Sequence, residues 1–94
     1  MLVFNQDKLA KFGRRHAAAR KPIHRWLEAA EAARWETPAD LKRYDPAASL
    51  LGKGKVVFNL GGNNFRLFVI AAFAAGVVTV EWIGTHAEYD RMNF

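Results

Sequence analysis

The spacing of apolar residues changes partway along the chain, and that change dictates a fold that begins with helices and ends with a sheet. Up to residue 35 they recur three and four apart: Leu9, Phe12 and His16, then Ile23, Trp26, Leu27, Ala30 and Ala33. That spacing gathers them on one side of a helix. From Val56 onward the apolar residues run in short β-branched and aromatic stretches broken by glycines, the pattern of strands and turns.

Punctuation residues set the boundaries. Asn5 is an N-cap for a helix over about Gln6 to Ala19, weakened by Gly13. Lys21-Pro22 marks a restart, because proline is tolerated in a first helical turn, and the second helix ends near Trp35. The two are expected to pair as an antiparallel hairpin. Thr37-Pro38-Ala39-Asp40 opens a third, short helix through about Arg43, which Asp45-Pro46 stops. Residues 45–54 are expected to be a connecting loop. Strands follow at Val56 to Leu60, Phe65 to Phe73 and Val77 to Ile83, with turns at Gly61-Gly62-Asn63 and Ala75-Gly76. Gly84 is read as the break that ends the last strand. Thr85-His86-Ala87-Glu88 fits a capping box, so a short final helix begins at His86. Leu2 to Phe4 is either an edge strand or N-terminal packing for the first helix. The expected class is α+β: N-terminal helices packed on a small antiparallel sheet, with a short C-terminal helix, as a single domain over residues 1–94.

With 94 residues, 51% of them hydrophobic, the chain can bury a core without disulfides. It has no cysteine, which removes thiol nucleophiles and Cys-ligated zinc and agrees with a reducing cytoplasm. Asp7 and Lys8 interrupt the N-terminal residues before an apolar run can form, so no secretory signal is expected. The apolar stretch Leu67 to Ile83 contains Gly76 and Glu81 and is rich in β-branched residues, which suits two buried strands better than a membrane span. A soluble protein with no membrane partner is expected.

The net charge of +5 is concentrated in one half. Residues 1–55 hold 12 Lys/Arg against 6 Asp/Glu, whereas residues 56–94 hold 2 against 3. Residues 8–25 carry seven basic side chains, two histidines and no acid. Such a field attracts a polyanion, an anionic membrane surface or an acidic protein, and a solvated helix face would carry it equally well.

Candidates for chemistry lie in the other half. Strand alternation puts Arg66 on one face with Phe68 and Ile70, either as a strand-end residue reaching water or as an anion site. His86 and Tyr89 are three apart on the final helix, where an imidazole and a phenol can converge on one substrate or can be a surface residue and a packing residue. His16, His24 and His86 show no metal-ligand spacing, Gly61-Gly62 lacks the Lys-Ser/Thr of a phosphate loop, and no Gly-x-Ser-x-Gly motif occurs. Neither a metal nor another cofactor is expected. An arginine, a histidine, a tyrosine and loop lysines are the parts for metal-independent cleavage of an RNA phosphodiester.

The segments Val57-Phe58-Asn59-Leu60-Gly61-Gly62-Asn63-Asn64-Phe65-Arg66-Leu67 and Gly84-Thr85-His86-Ala87-Glu88-Tyr89-Asp90, with Trp35 to Lys42 upstream, resemble the HigB toxin family of type II toxin–antitoxin systems. The resemblance covers nearly the whole chain. It implies a RelE/ParE-like fold, cleavage of mRNA on translating ribosomes, and inhibition by a HigA-like helix-turn-helix antitoxin, through which alone operator DNA would be reached. It places Arg66 on the scissile phosphate, His86 as the main proton-transfer residue and Tyr89 in support of it. Lys53 and Lys55 are assigned to phosphate contacts from their charge and location. Arg14, Arg15, Arg20 and Lys21 are assigned to ribosomal RNA or to an acidic antitoxin surface. Asn63 is expected to hold the hairpin, Asp90 to brace the last helix and Glu88 to serve the capping box. The sequence closes at Phe94, soon after Asp90, so contacts borne by a longer tail are not expected. The contrasting reading is a ParE-like toxin that binds a protein target such as DNA gyrase and performs no chemistry.

Overall fold

A computed structural model describes residues 1–92; the expectation about the tail falls on Asn93 and Phe94, which lie outside it. The elements are β1 (Leu2–Phe4), α1 (Asp7–Arg15), a 3₁₀ turn (Ala17–Ala19), α2 (Arg20–Ala32), α3 (Pro38–Tyr44), β2 (Ser49–Gly52), β3 (Lys55–Leu60), β4 (Phe65–Ala72), β5 (Val77–Thr85) and α4 (His86–Asp90). The strands form one sheet in the order β1-β5-β4-β3-β2.

One face of the sheet carries the core. Phe58, Leu60, Leu67, Val69, Val78 and Val80 alternate inward and meet Leu9 and Phe12 of α1 and Ile23, Trp26 and Ala30 of α2. Phe58 is fully buried, with its ring centroid 5.5 Å from that of Trp26 and 6.2 Å from that of Trp35. The other face carries Arg66, Phe68 and Ile70, paired across β3 and β5 with Asn59, Gly84, Trp82 and Thr79. The register of β4 against β5 skips at Glu81, because Phe68 faces Trp82 and Val69 faces Val80. This bulge lies directly before the segment that leads into α4.

At the opposite end of the sheet, Gly54 permits a close crossing. Its carbonyl accepts from Ala71 N at 2.8 Å, and a Cβ on it would stand 2.5 Å from the Ala71 carbonyl oxygen. With φ at +78°, only glycine fits there without moving backbone.

Several boundaries differ from those expected. The sheet is mixed rather than purely antiparallel, because β1 runs parallel to β5 through Leu2↔Val77 to Phe4↔Thr79. The first helix stops at Arg15: His16 leaves the helical region and stacks on Phe12 at 4.3 Å, while Arg20 Nε donates to Gly13 O at 2.7 Å. Asn5 is not the N-cap. It adopts φ +64°, Gln6 takes the cap position, and Asn5 Nδ2 donates to Val80 O at 3.2 Å. The second helix ends at Ala32 rather than near Trp35, because Ala33 is extended. Residues 45–54 are not all loop, since Ser49–Gly52 pairs with β3 as an edge strand. Gly84 does not end β5; it lies within the strand opposite Arg66.

Both expected cap signals are present. Thr37 forms a capping box with Asp40, and Thr85 forms one with Glu88.

Candidate functional site

The β3–β4 turn places Arg66 one residue into β4, and the two glycines of that turn both have positive φ. Arg66 is the one buried charged side chain among the described residues, at 8% exposure. Burial of a guanidinium requires hydrogen-bond partners. Nη2 donates to Asn63 Oδ1 at 2.7 Å, and Nη1 donates to the carbonyls of Asn63 and Phe65, each at 3.2 Å. These bonds fix the edge of the guanidinium nearest the turn. The Tyr89 ring covers the group, with its centroid 5.9 Å from Cζ, at cation–π distance. Asn63 therefore does more than hold the hairpin, because it orients the arginine.

The capping box fixes α4 beside this arginine. Thr85 N donates to Glu88 Oε1 at 2.8 Å, and Glu88 N donates to Thr85 Oγ1 at 3.1 Å. His86 N donates to Asn64 O at 2.9 Å, which ties the helix start to the β3–β4 turn. The turn thus holds Arg66 through Asn63 and His86 through Asn64. The His86 side chain is 45% exposed, with Nε2 3.5 Å from Asp90 Oδ2. Its Nδ1 points inward without a hydrogen-bond partner among the described residues.

Tyr89 lies between Arg66 and Trp82, the Trp82 centroid being 6.4 Å from its own. Gly84 makes room for this row, because a Cβ there would meet the Trp82 ring at 2.4 Å and Glu88 Oε1 at 3.1 Å.

The hydrogen bond from Thr85 N–H holds the Glu88 carboxyl below its ordinary value, with further help from the Thr85 hydroxyl and the charges of His16 and Arg15, against a partial opposition from burial. A depressed carboxylate stabilises the folded form above its unfolded pKa and loses that contribution as pH falls through the folded one. In an acid titration followed by NMR, the Thr85 and Glu88 amide resonances should move together, with a midpoint below the ordinary glutamate range. A midpoint at or above that range would contradict the cap.

Arg66, His86 and Tyr89 thus lie at one end of the sheet, where α4 meets the face opposite α1 and α2. The expected basic residues do not. Lys55 is on the same face but opposite Ile70, four residues along β4 from Arg66, or about 13 Å. Lys53 is exposed in the β2–β3 turn with φ +55°. Arg14 and Arg20 border a groove of about 550 Å³ between α1 and α2, and Lys21 is exposed on the first turn of α2. Arg15 faces another way, into a cleft against β5. Sequence reasoning missed Trp82 altogether. The available signal was an aromatic residue two positions before a glycine within one strand, so that both lie on the same face.

No group of three or more His, Asp or Glu side chains able to hold a metal occurs among the described residues, and no helix there is long and apolar enough to cross a membrane. The family model HigB_toxin, described as the RelE-like toxic component of a toxin-antitoxin system, matches residues 19–92. No curated protein matches the chain.

Proposed function

Because this chain belongs to the HigB toxin family, the RelE-like toxic components of toxin–antitoxin systems, we propose that it is a ribosome-dependent mRNA endonuclease with one RelE-like domain over residues 1–94. The observation that carries this reading is the buried, oriented guanidinium of Arg66 beneath Tyr89, with His86 a single helical turn from Tyr89. A protein-binding surface has no need to bury and orient an arginine close to a half-exposed imidazole.

In this mechanism an imidazole nitrogen of His86 takes the proton of the ribose 2′-hydroxyl. The 2′-oxygen attacks phosphorus, Arg66 stabilises the charge on the pentavalent phosphorane, and the bond to the 5′-oxygen breaks as that oxygen is protonated. The products are a 2′,3′-cyclic phosphate and a 5′-hydroxyl. Tyr89 supports the reaction as a proton donor or by stacking on a base. No step requires a metal or other cofactor. Lys55 and Lys53 meet backbone phosphates farther along the strand, and Arg14, Arg20 and Lys21 dock on ribosomal RNA.

The family implies an antitoxin partner. We assign that role to a HigA-like helix-turn-helix protein, which also supplies contact with operator DNA. The site of action is the cytoplasm, where translation occurs.

Primer extension on cellular mRNA after induction tests the reading. New 5′ ends are expected within translated regions, and they should disappear when translation is blocked beforehand. DNA breaks without such ends would identify a gyrase-type target instead and overturn the endonuclease.

A further inference from the structure

We infer that the groove between α1 and α2 seats an amphipathic helix of a partner protein, which enters with an apolar stripe and meets Arg14, Arg20 and Lys21 with carboxylates.

The two helices lie side by side in opposite directions. At the turn between them Arg20 Nε donates to Gly13 O at 2.7 Å, and at the far end Gln6 Nε2 donates to Glu31 Oε2 at 3.4 Å. Between these contacts the groove has a volume of about 550 Å³. Its lining on α1 runs from Gln6 to Arg14, about 12 Å of helix, which matches about two turns of a second helix laid along it.

The bottom of the groove is aliphatic. Leu9 and Ile23 close it, half-buried Leu27 and exposed Ala10 form its walls, and no Phe, Tyr or Trp side chain lines it. Ala10 and Gly13 offer at most a methyl group, and small side chains let helix axes approach closely. Apolar anchors three, four and seven residues apart are how a helix fills a groove of this kind.

Charge sets the sign of the partner. Arg14 and Arg20 border the groove beside the turn, and Lys21 is exposed next to them. Among the described residues neither Arg14 nor Lys21 belongs to an ion pair, whereas His24 is engaged by Glu28 at 3.0 Å. Asp7 is the acid that lines the groove, and it lies at the far end, beside the Gln6 that meets Glu31. The groove is therefore basic at one end only. That polarity suits a helix with its carboxylates grouped at one end. A nucleic acid is negative at every phosphate and is held by stacking of its bases, and here it would meet an acid and an aliphatic bottom.

The cations involved are those assigned above to ribosomal RNA, so a seated helix and the ribosome exclude each other. This exclusion rests on the ribosome-dependent reading; the seat itself rests on the groove.

The full chain would be mixed with a helical peptide of about sixteen residues. The peptide carries leucines three and four apart on one side and glutamates grouped at one end, and a control peptide of the same composition has its leucines scattered. In NMR spectra the striped peptide should shift the amides of residues 6–14 and 20–27 and leave those of residues 82–89 in place. Ala10→Glu puts a carboxylate against the apolar stripe at an exposed position that tolerates glutamate, and it should weaken binding about tenfold or more. Replacing Arg14 and Lys21 together by glutamine should also weaken binding, with the difference shrinking as salt is raised. Equal binding of the two peptides, shifts confined to other surfaces, or unchanged binding to either variant would overturn the seat. So would oligo(A) RNA that shifts the groove amides when the striped peptide does not. Sedimentation with ribosomes tests the exclusion, because saturating striped peptide should release the pelleted chain. A chain that stays on the ribosome with its groove filled would overturn the exclusion. A chain that never pellets would overturn the ribosome-dependent reading, while the peptide measurements still decide the seat.

Discussion

Replacing His86 with alanine is expected to slow mRNA cleavage by roughly a hundred- to ten-thousand-fold, the range of a single general acid or base. Growth arrest should disappear with it. The loss should be chemical rather than structural. The His86 side chain makes no hydrogen bond through Nδ1, its contact with Asp90 is a long 3.5 Å, and it is nearly half exposed. What it contributes to the fold is its backbone N–H to Asn64, which alanine retains. The variant should therefore melt within a few degrees of the parent chain and still bind antitoxin. A fully toxic His86→Ala protein would remove His86 from the mechanism, and an unfolded one would leave Arg66 as the residue on which to test the site.

The largest loss of stability should come from Phe58→Ala. Phe58 is wholly buried among Trp26, Trp35 and Tyr44, and it joins the sheet to α2 and to the segment before α3. Truncating a buried phenylalanine costs about 3–5 kcal/mol. Small domains hold about 5–15 kcal/mol in all. For a domain of this size the melting temperature should fall by on the order of 20 °C. Calorimetry of the two proteins at one pH would check this, and a fall of a few degrees would mean that the surrounding aromatic rings close over the void.

These two residues also show what the sequence reveals and what it does not. Phe58 lies in an alternating run next to a Gly-Gly turn, so its strand is legible locally. The start of α4 is equally legible, because a capping box is written in four consecutive residues. Gly84 was misread because glycine commonly weakens strands, yet here its missing Cβ is what admits the Trp82 ring. β2 was missed because all four of its residues are exposed and carry no alternation; only pairing with β3 makes them a strand. The break at His16 depends on a stacking partner and on Arg20 reaching back to Gly13, both tertiary events in a stretch whose own preference is helical. For the candidate site, the sequence pointed to Arg66, His86 and Tyr89, but not to the Asn63 carbonyl that accepts from Arg66 or the Asn64 carbonyl that accepts from His86 N. The basic residues appeared as one block because charge counting has no direction. The structure sends Arg14 and Arg15 to different sides of the same helix.

The parallel pairing of β1 with β5 joins the first strand to the last among the described residues. During synthesis, Leu2 to Phe4 must wait until residues 77–79 have been made, so the sheet cannot close on a partial chain. Contacts so distant in sequence form late, because the loop between them must be ordered first. The residues that follow β5 at once are Thr85 to Asp90, which supply His86 and Tyr89. A nascent chain released early therefore lacks both the closing strand and the helix that covers Arg66. Synthesis must pass residue 90 before Arg66, His86 and Tyr89 can be brought together, and a fragment that stops short of it has no assembled candidate site.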